Sequence, residues 1–100
     1  MKEIGRSGIE AYLKKRVAES GGVCRKFASR IHNPDQLVIW MGFPQGRLAV
    51  IHFVETKAPG KRPRPGQERE HKRLRAMGCK VFVIDTKEKV DAYVCMWGRL

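Results

Sequence analysis

Glu55, Thr56 and Lys57 close a strongly apolar run, Leu48 to Val54, and Asn33-Pro34-Asp35 precedes a second one, Leu37 to Trp40. A carboxylate, one spacer and a lysine at one strand end, with another carboxylate at the start of a neighbouring strand, have the chemistry of a metal site. Mg²⁺ and Mn²⁺ favour oxygen ligands, and magnesium keeps several waters while taking one or two carboxylates plus substrate phosphates. Lys57 would add a fixed cation beside them.

The strands decide whether these groups meet. Side chains alternate faces along a strand, so Glu55 and Lys57 share a side with Phe53, Ile51 and Ala49, while Val50, His52 and Val54 point the other way. Both sides are largely apolar, which predicts a central strand. Asp35, Leu37, Ile39 and Met41 share one face of the earlier run. Gly42-Phe43-Pro44-Gln45-Gly46 reads as a turn, making the two runs an antiparallel hairpin. A register pairing Ile39 with Ile51 and Leu37 with Phe53 sets Asp35 opposite Glu55. Like charges facing each other across a sheet are destabilising, so the pair needs a compensating cation. A slip of two residues would keep the same faces, so parity alone fixes the shared side.

The whole chain limits the function classes. One hundred residues make one small domain, taken here as 1–100, and 42% hydrophobic content suits a folded core rather than a disordered chain. With 21 Lys+Arg against 10 Asp+Glu the net charge is +11, which points to a polyanion partner, most simply nucleic acid. No apolar run approaches the ~20 residues that span a bilayer, and Met1 to Gly8 is polar, without the apolar segment of a secretory signal. Cys24, Cys79 and Cys95 are odd in number, widely spaced and set among apolar residues, as expected of buried free thiols in a reducing compartment.

The remaining elements follow in order. Ser7-Gly8-Ile9-Glu10 reads as a helix start with a capping box, and Ile9, Tyr12, Leu13 and Val17 form the apolar stripe of a helix running to about Ser20. Glu10 borders that stripe and has two readings, a cap or an acid leaning over the sheet. Val23 to Ala28 reads as a short strand whose Arg25 and Lys26 are phosphate contacts or simply solvated. Pro59 to Gly66 is a basic loop in which Lys61, Arg62 and Arg64 follow the acid–lysine strand end directly, in position to hold a phosphate backbone. A helix is expected from about Pro65 to Met77, with Gly78 closing it and Gln67, His71, Leu74 and Met77 on one face. Gln67 would then point from the first turn toward the same strand ends. Lys80 to Asp85 reads as a fourth strand, and Thr86 as the cap of a last helix packing Val90, Tyr93, Val94 and Trp97 on the sheet.

The order helix, strand, hairpin, helix, strand, helix, carrying Glu10, Pro34-Asp35, Glu55-x-Lys57 and Gln67, resembles the PD-(D/E)XK nuclease core. More closely, the chain is similar to the VRR-NUC family, in which a P-D strand start, a V-E-x-K-x-P strand end and a P/S-x-x-Q helix start recur. These read here as Asn33-Pro34-Asp35, Val54-Glu55-Thr56-Lys57-Ala58-Pro59 and Arg64-Pro65-Gly66-Gln67. His32-Asn33 departs from the G-R pair that the family often carries. The resemblance implies a restriction-endonuclease-like α/β fold, αβββαβ with a C-terminal helix, its mixed central sheet flanked by helices.

For function the resemblance implies a nuclease that hydrolyses phosphodiesters with Mg²⁺ or Mn²⁺. Asp35 and Glu55 would hold the ion with the Thr56 carbonyl, and Glu10 would contribute directly or through water. Lys57 would orient or deprotonate the attacking water and neutralise the phosphorane-like state, with Gln67 positioning Lys57 or the water. Short stand-alone members resemble homodimeric, structure-selective DNA endonucleases of bacteria and their phages, including resolvases of four-way (Holliday) junctions, which implies the cytoplasm of a bacterial cell. A different class also suits the composition, a non-catalytic nucleic-acid-binding module. Against it, a pure polyanion binder gains nothing from two acids beside its basic loop.

Overall fold

The computed structural model describes residues 5–28, 32–42, 44 and 46–98. Its elements are α1 (Arg6–Glu19), β1 (Val23–Lys26), β2 (Gln36–Trp40), β3 (Val50–Thr56), α2 (Pro65–Ala76), β4 (Lys80–Ile84) and α3 (Lys87–Trp97). The strands form one sheet in the order β1-β2-β3-β4, antiparallel except for the parallel β3–β4 pair. The parallel step requires a crossover, and α2 supplies it. This is the mixed, helix-flanked sheet that the family resemblance implies.

The hairpin register is the expected one: Leu37 pairs with Phe53 and Ile39 with Ile51. Alternation accounts for the faces, with Val38, Trp40 and Val54 together on one face, all buried; the pairing itself selects this register over one slipped by two residues. That face packs against α1 and α3. Ile9, Leu13 and Val17 from α1 join Val90, Tyr93 and Val94 from α3 over Cys24, Val38, Trp40, Val54 and Ile84. Complete burial of an aliphatic side chain is worth about 1.5–3 kcal/mol, so the three α1 residues alone anchor that helix firmly.

The same core encloses a polar chain. Trp40 Nε1 donates to the Tyr93 hydroxyl at 3.0 Å, and that hydroxyl lies 2.7 Å from His52 Nδ1. The Tyr93 hydroxyl thus joins the indole and the imidazole, while His52 Nε2 is buried without a partner. Burial and nearby Lys80 push the His52 pKa down to about 4, and burial pushes those of Tyr93 upward and Cys24 up to about 11.

The other face of the sheet is only partly covered. α2 packs on β4, where Arg75 Nη2 donates to the Val81 carbonyl at 2.7 Å. Val23, Ile39 and Ile51 form a cross-strand apolar row beyond its reach, and Ile51 is 55% exposed.

Several expectations need correction. α1 begins at Arg6 with Gly5 as its N-cap and makes no side-chain cap bond, so Ser7 and Glu10 do not form a capping box. The apolar stripe, not the serine, sets where the helix starts. β1 stops at Lys26, two residues short of Ala28. Leu48 is 93% exposed and lies before β3, and Met77 is an exposed C-cap on α2 rather than part of its inner face. Gly78, at φ +97, takes the left-handed conformation that ends α2. All three cysteines are free, but only Cys24 is buried; Cys95 lies exposed on α3. Phe43 and Gln45 of the expected turn lie outside the described residues. Thr86 caps α3 as expected, accepting from Lys89 N at 3.1 Å.

Candidate active site

Asp35 lies one residue before β2 and Glu55 one residue before the end of β3, so the register brings both to one end of the sheet. Both are buried, at 8% and 2% exposure. Such groups persist as charges only with compensating partners, and each has its own set. Asp35 Oδ1 accepts from Thr56 N at 2.8 Å, while Oδ2 accepts from Thr56 Oγ1 at 2.5 Å and from Arg6 Nη2 at 2.9 Å. This ties the start of β2 to the end of β3 through one carboxylate. The Asp35 contact raises the Arg6 guanidinium above its already high pKa, with Glu10 and Glu55 adding to the same field.

Glu55 is held from the α2 side. Gln67 Nε2 donates to its Oε2 at 3.4 Å, Lys57 Nζ lies 3.7 Å from the same oxygen, and His71 Nε2 lies 3.6 Å from Oε1. Glu55 Oε1 and His71 Nε2 are both buried without a hydrogen-bond partner, facing one another. Gln67 is the hub of this side: its Oε1 accepts from Lys57 Nζ at 2.8 Å and from Arg64 N at 2.9 Å. The second bond closes the first turn of α2, and Pro65 at the helix start costs nothing because its missing N–H would have gone unused. Gly66 belongs to the same turn, and a Cβ there would come within 2.5 Å of the His32 ring, so the loop leading to Asp35 sits directly against the start of α2.

The predicted residues therefore divide. Asp35, Glu55, Thr56, Lys57 and Gln67 are assembled around one strand end. Glu10 projects from α1 with its nearest cation Lys26, at 3.9 Å. Among the described residues no group of three or more His, Cys, Asp or Glu stands close enough to hold a metal through side chains alone. Lys61, Arg62 and Arg64 are exposed in the loop between β3 and α2, which Gly60 N fastens to Asp85 Oδ2 at 3.1 Å. Arg25 is exposed on β1, its Nη1 donating to the Cys24 carbonyl at 3.2 Å. Arg6 was missed by the sequence reading, although its i,i+4 spacing from Glu10 put both on one helix face; beginning the helix at Ser7 left it out. His71 was placed on the inner face of α2 by its spacing from Gln67, but its approach to Glu55 was not foreseen.

Known proteins resemble this chain in sequence and in fold. The chain is 42% identical, over 90 residues, to a protein named "Putative nuclease p44" from Acyrthosiphon pisum secondary endosymbiont phage 1, covering 88% of this chain and 90% of that one. A solved structure named VRR_NUC domain superposes with a TM-score of 0.74 at 38% identity, over 89% of this chain and 92% of its own. The chain belongs to the VRR-NUC nuclease family. No family model matches it. In this VRR-NUC domain the P-D, E-x-K and helix-start glutamine positions are Asp35, Glu55, Lys57 and Gln67, the residues that the register and α2 bring together. No helix among the described residues is long and apolar enough to cross a membrane.

Proposed function

We propose that this VRR-NUC domain is a Mg²⁺- or Mn²⁺-dependent endonuclease that hydrolyses phosphodiester bonds in DNA, acting on branched substrates such as four-way junctions. The observation that carries the reading is the buried pair Asp35 and Glu55 with Lys57 tethered beside them by Gln67. A pure polyanion binder gains nothing from two acids placed beside its basic loop.

The donor set suits a hard divalent cation. It consists of carboxylate oxygens, and Glu55 Oε1 has no hydrogen bond of its own. Two carboxylates rather than three is the pattern magnesium accepts, with waters and substrate phosphate completing the shell. Asp35, Glu55 and the Thr56 carbonyl would hold the ion, and Glu10 would reach it through water. When bound, the ion polarises the scissile phosphate, acidifies a water and shields developing charge. Lys57 orients that water and takes up part of the negative charge accumulating on phosphorus. Gln67 keeps the Lys57 ammonium at this end of β3 rather than in solvent. Lys61, Arg62 and Arg64 carry the strand past the site, with Arg25 and Lys26 on the β1 side. A groove of about 540 Å³ along α2, lined in part by Arg69, Lys72 and Arg75 and sharing His71 with the site, offers a second cationic path.

A homodimer acting in the bacterial cytoplasm completes the proposal. The open apolar row Val23, Ile39 and Ile51 supports self-association, and two sites suit the two strands of a symmetric junction. The test is to incubate the purified protein with labelled four-way junction, flap, duplex and single-stranded DNA in Mg²⁺, Mn²⁺ or EDTA. Metal-dependent cutting with preference for the junction supports the reading. Tight binding without cutting under every condition would favour the binding module.

A further inference from the structure

Asp35 is the more crowded of the two acids. Its Oδ2 already receives both Thr56 Oγ1 and Arg6 Nη2, and a carboxylate oxygen has two lone pairs to offer. A divalent ion using that oxygen must displace one of them. Thr56 is fully buried and fixed in β3, whereas the Arg6 side chain is 51% exposed, on a flexible stem in the first turn of α1. Arg6 is therefore the group that gives way, and like charge pushes it in the same direction. Its stem stays anchored at the mouth of the site, and a guanidinium released there has a planar fork that matches phosphate bidentately.

We propose that Arg6 competes with the divalent cation for Asp35 and, once displaced, becomes a phosphate ligand for the DNA strand. Without metal the guanidinium holds the aspartate in place; with metal it turns to the substrate. The inference rests on the metal-dependent reading above. It differs from a purely structural role in that the two halves have opposite signs: losing Arg6 tightens metal binding and weakens DNA binding.

The experiment compares wild type with Arg6→Ala, Arg6→Gln and Asp35→Asn. Mn²⁺ binding without DNA is followed by the electron paramagnetic resonance of free Mn²⁺, and junction DNA binding by fluorescence anisotropy over a salt series, in Ca²⁺ and in EDTA. Arg6→Ala should bind Mn²⁺ about two- to fivefold more tightly than wild type, the size expected for removing one partly exposed ion pair. In Ca²⁺ its slope of log K against log salt should fall by about 0.9, one phosphate contact, and in EDTA the slope should not change. Arg6→Gln, which keeps the stem, should behave alike and carries the comparison if Arg6→Ala does not fold. Unchanged or weaker Mn²⁺ binding in both variants overturns the proposal, as does a slope change of equal size in EDTA. If wild type and Arg6→Ala bind Mn²⁺ no better than Asp35→Asn, the metal-dependent reading falls too, which separates the two failures.

Discussion

Replacing Gln67 by alanine removes three contacts of unequal worth. The bond from Lys57 Nζ, 2.8 Å, is charge-assisted and largely shielded, since the Lys57 side chain is only 15% exposed; it should contribute about 1.5–3 kcal/mol. Arg64 N is exposed and regains water, so its loss costs little. The 3.4 Å contact to Glu55 is long and adds less than about 1 kcal/mol. Gln67→Ala should therefore lose about 2–3 kcal/mol in urea unfolding and, with Lys57 untethered, cleave about 10- to 100-fold more slowly. Gln67→Glu keeps the acceptor for Lys57 and should retain more of the stability, while setting a second carboxylate against Glu55. Single-turnover cleavage and urea titration of the three proteins provide the check. If Gln67→Ala stays within about 0.5 kcal/mol of wild type, the range of an ordinary surface substitution, and cleaves at the wild-type rate, Gln67 is only a surface amide.

Three further outcomes follow from the core and the α2 side. Tyr93→Phe leaves Trp40 Nε1 and His52 Nδ1 buried without partners and should cost about 2–4 kcal/mol by urea unfolding, with a loss below 1 kcal/mol showing that water replaces the hydroxyl. His52 has an ordinary pKa of 6.5 and a folded value of about 4, so as pH falls below 6.5 the unfolded chain takes the proton first. Stability should then drop by up to about 3 kcal/mol by pH 4 and level off from this group below it, read by urea midpoints against pH. His71→Phe should weaken Mn²⁺ binding about tenfold by isothermal titration while His71→Gln, which keeps a donor, loses less; equal losses would mean that His71 only fills space.

Legibility followed the range of the interaction. Alternation made the faces readable, so Asp35 and Glu55 could be placed on one side of the hairpin. The exact pairing was not fixed, because a slip of two residues buries the same Val38, Trp40 and Val54 face and the connection from Trp40 to Val50 is long enough to allow it. Gln67 was readable because Pro65 and Gly78 fix the phase of α2. The α1 start was misread because Ser7-x-x-Glu10 imitates a capping box, while burial of Ile9 sets the phase and makes Gly5 the cap. Partnerships across the sheet were not readable: Arg6 with Asp35, His71 with Glu55, and the Trp40–Tyr93–His52 chain join residues whose sequence positions say nothing of their meeting.

The central claim is that Lys57 and the buried acids carry metal-dependent cleavage. Its most direct test is the single-turnover rate on junction DNA in saturating Mn²⁺ for wild type, Lys57→Ala and Glu55→Gln, each confirmed as folded by circular dichroism. Lys57→Ala should fall by about 10²- to 10⁴-fold, Glu55→Gln at least as far, and EDTA should abolish cutting by wild type. Wild-type rates in both variants, or cutting that persists in EDTA, would contradict it.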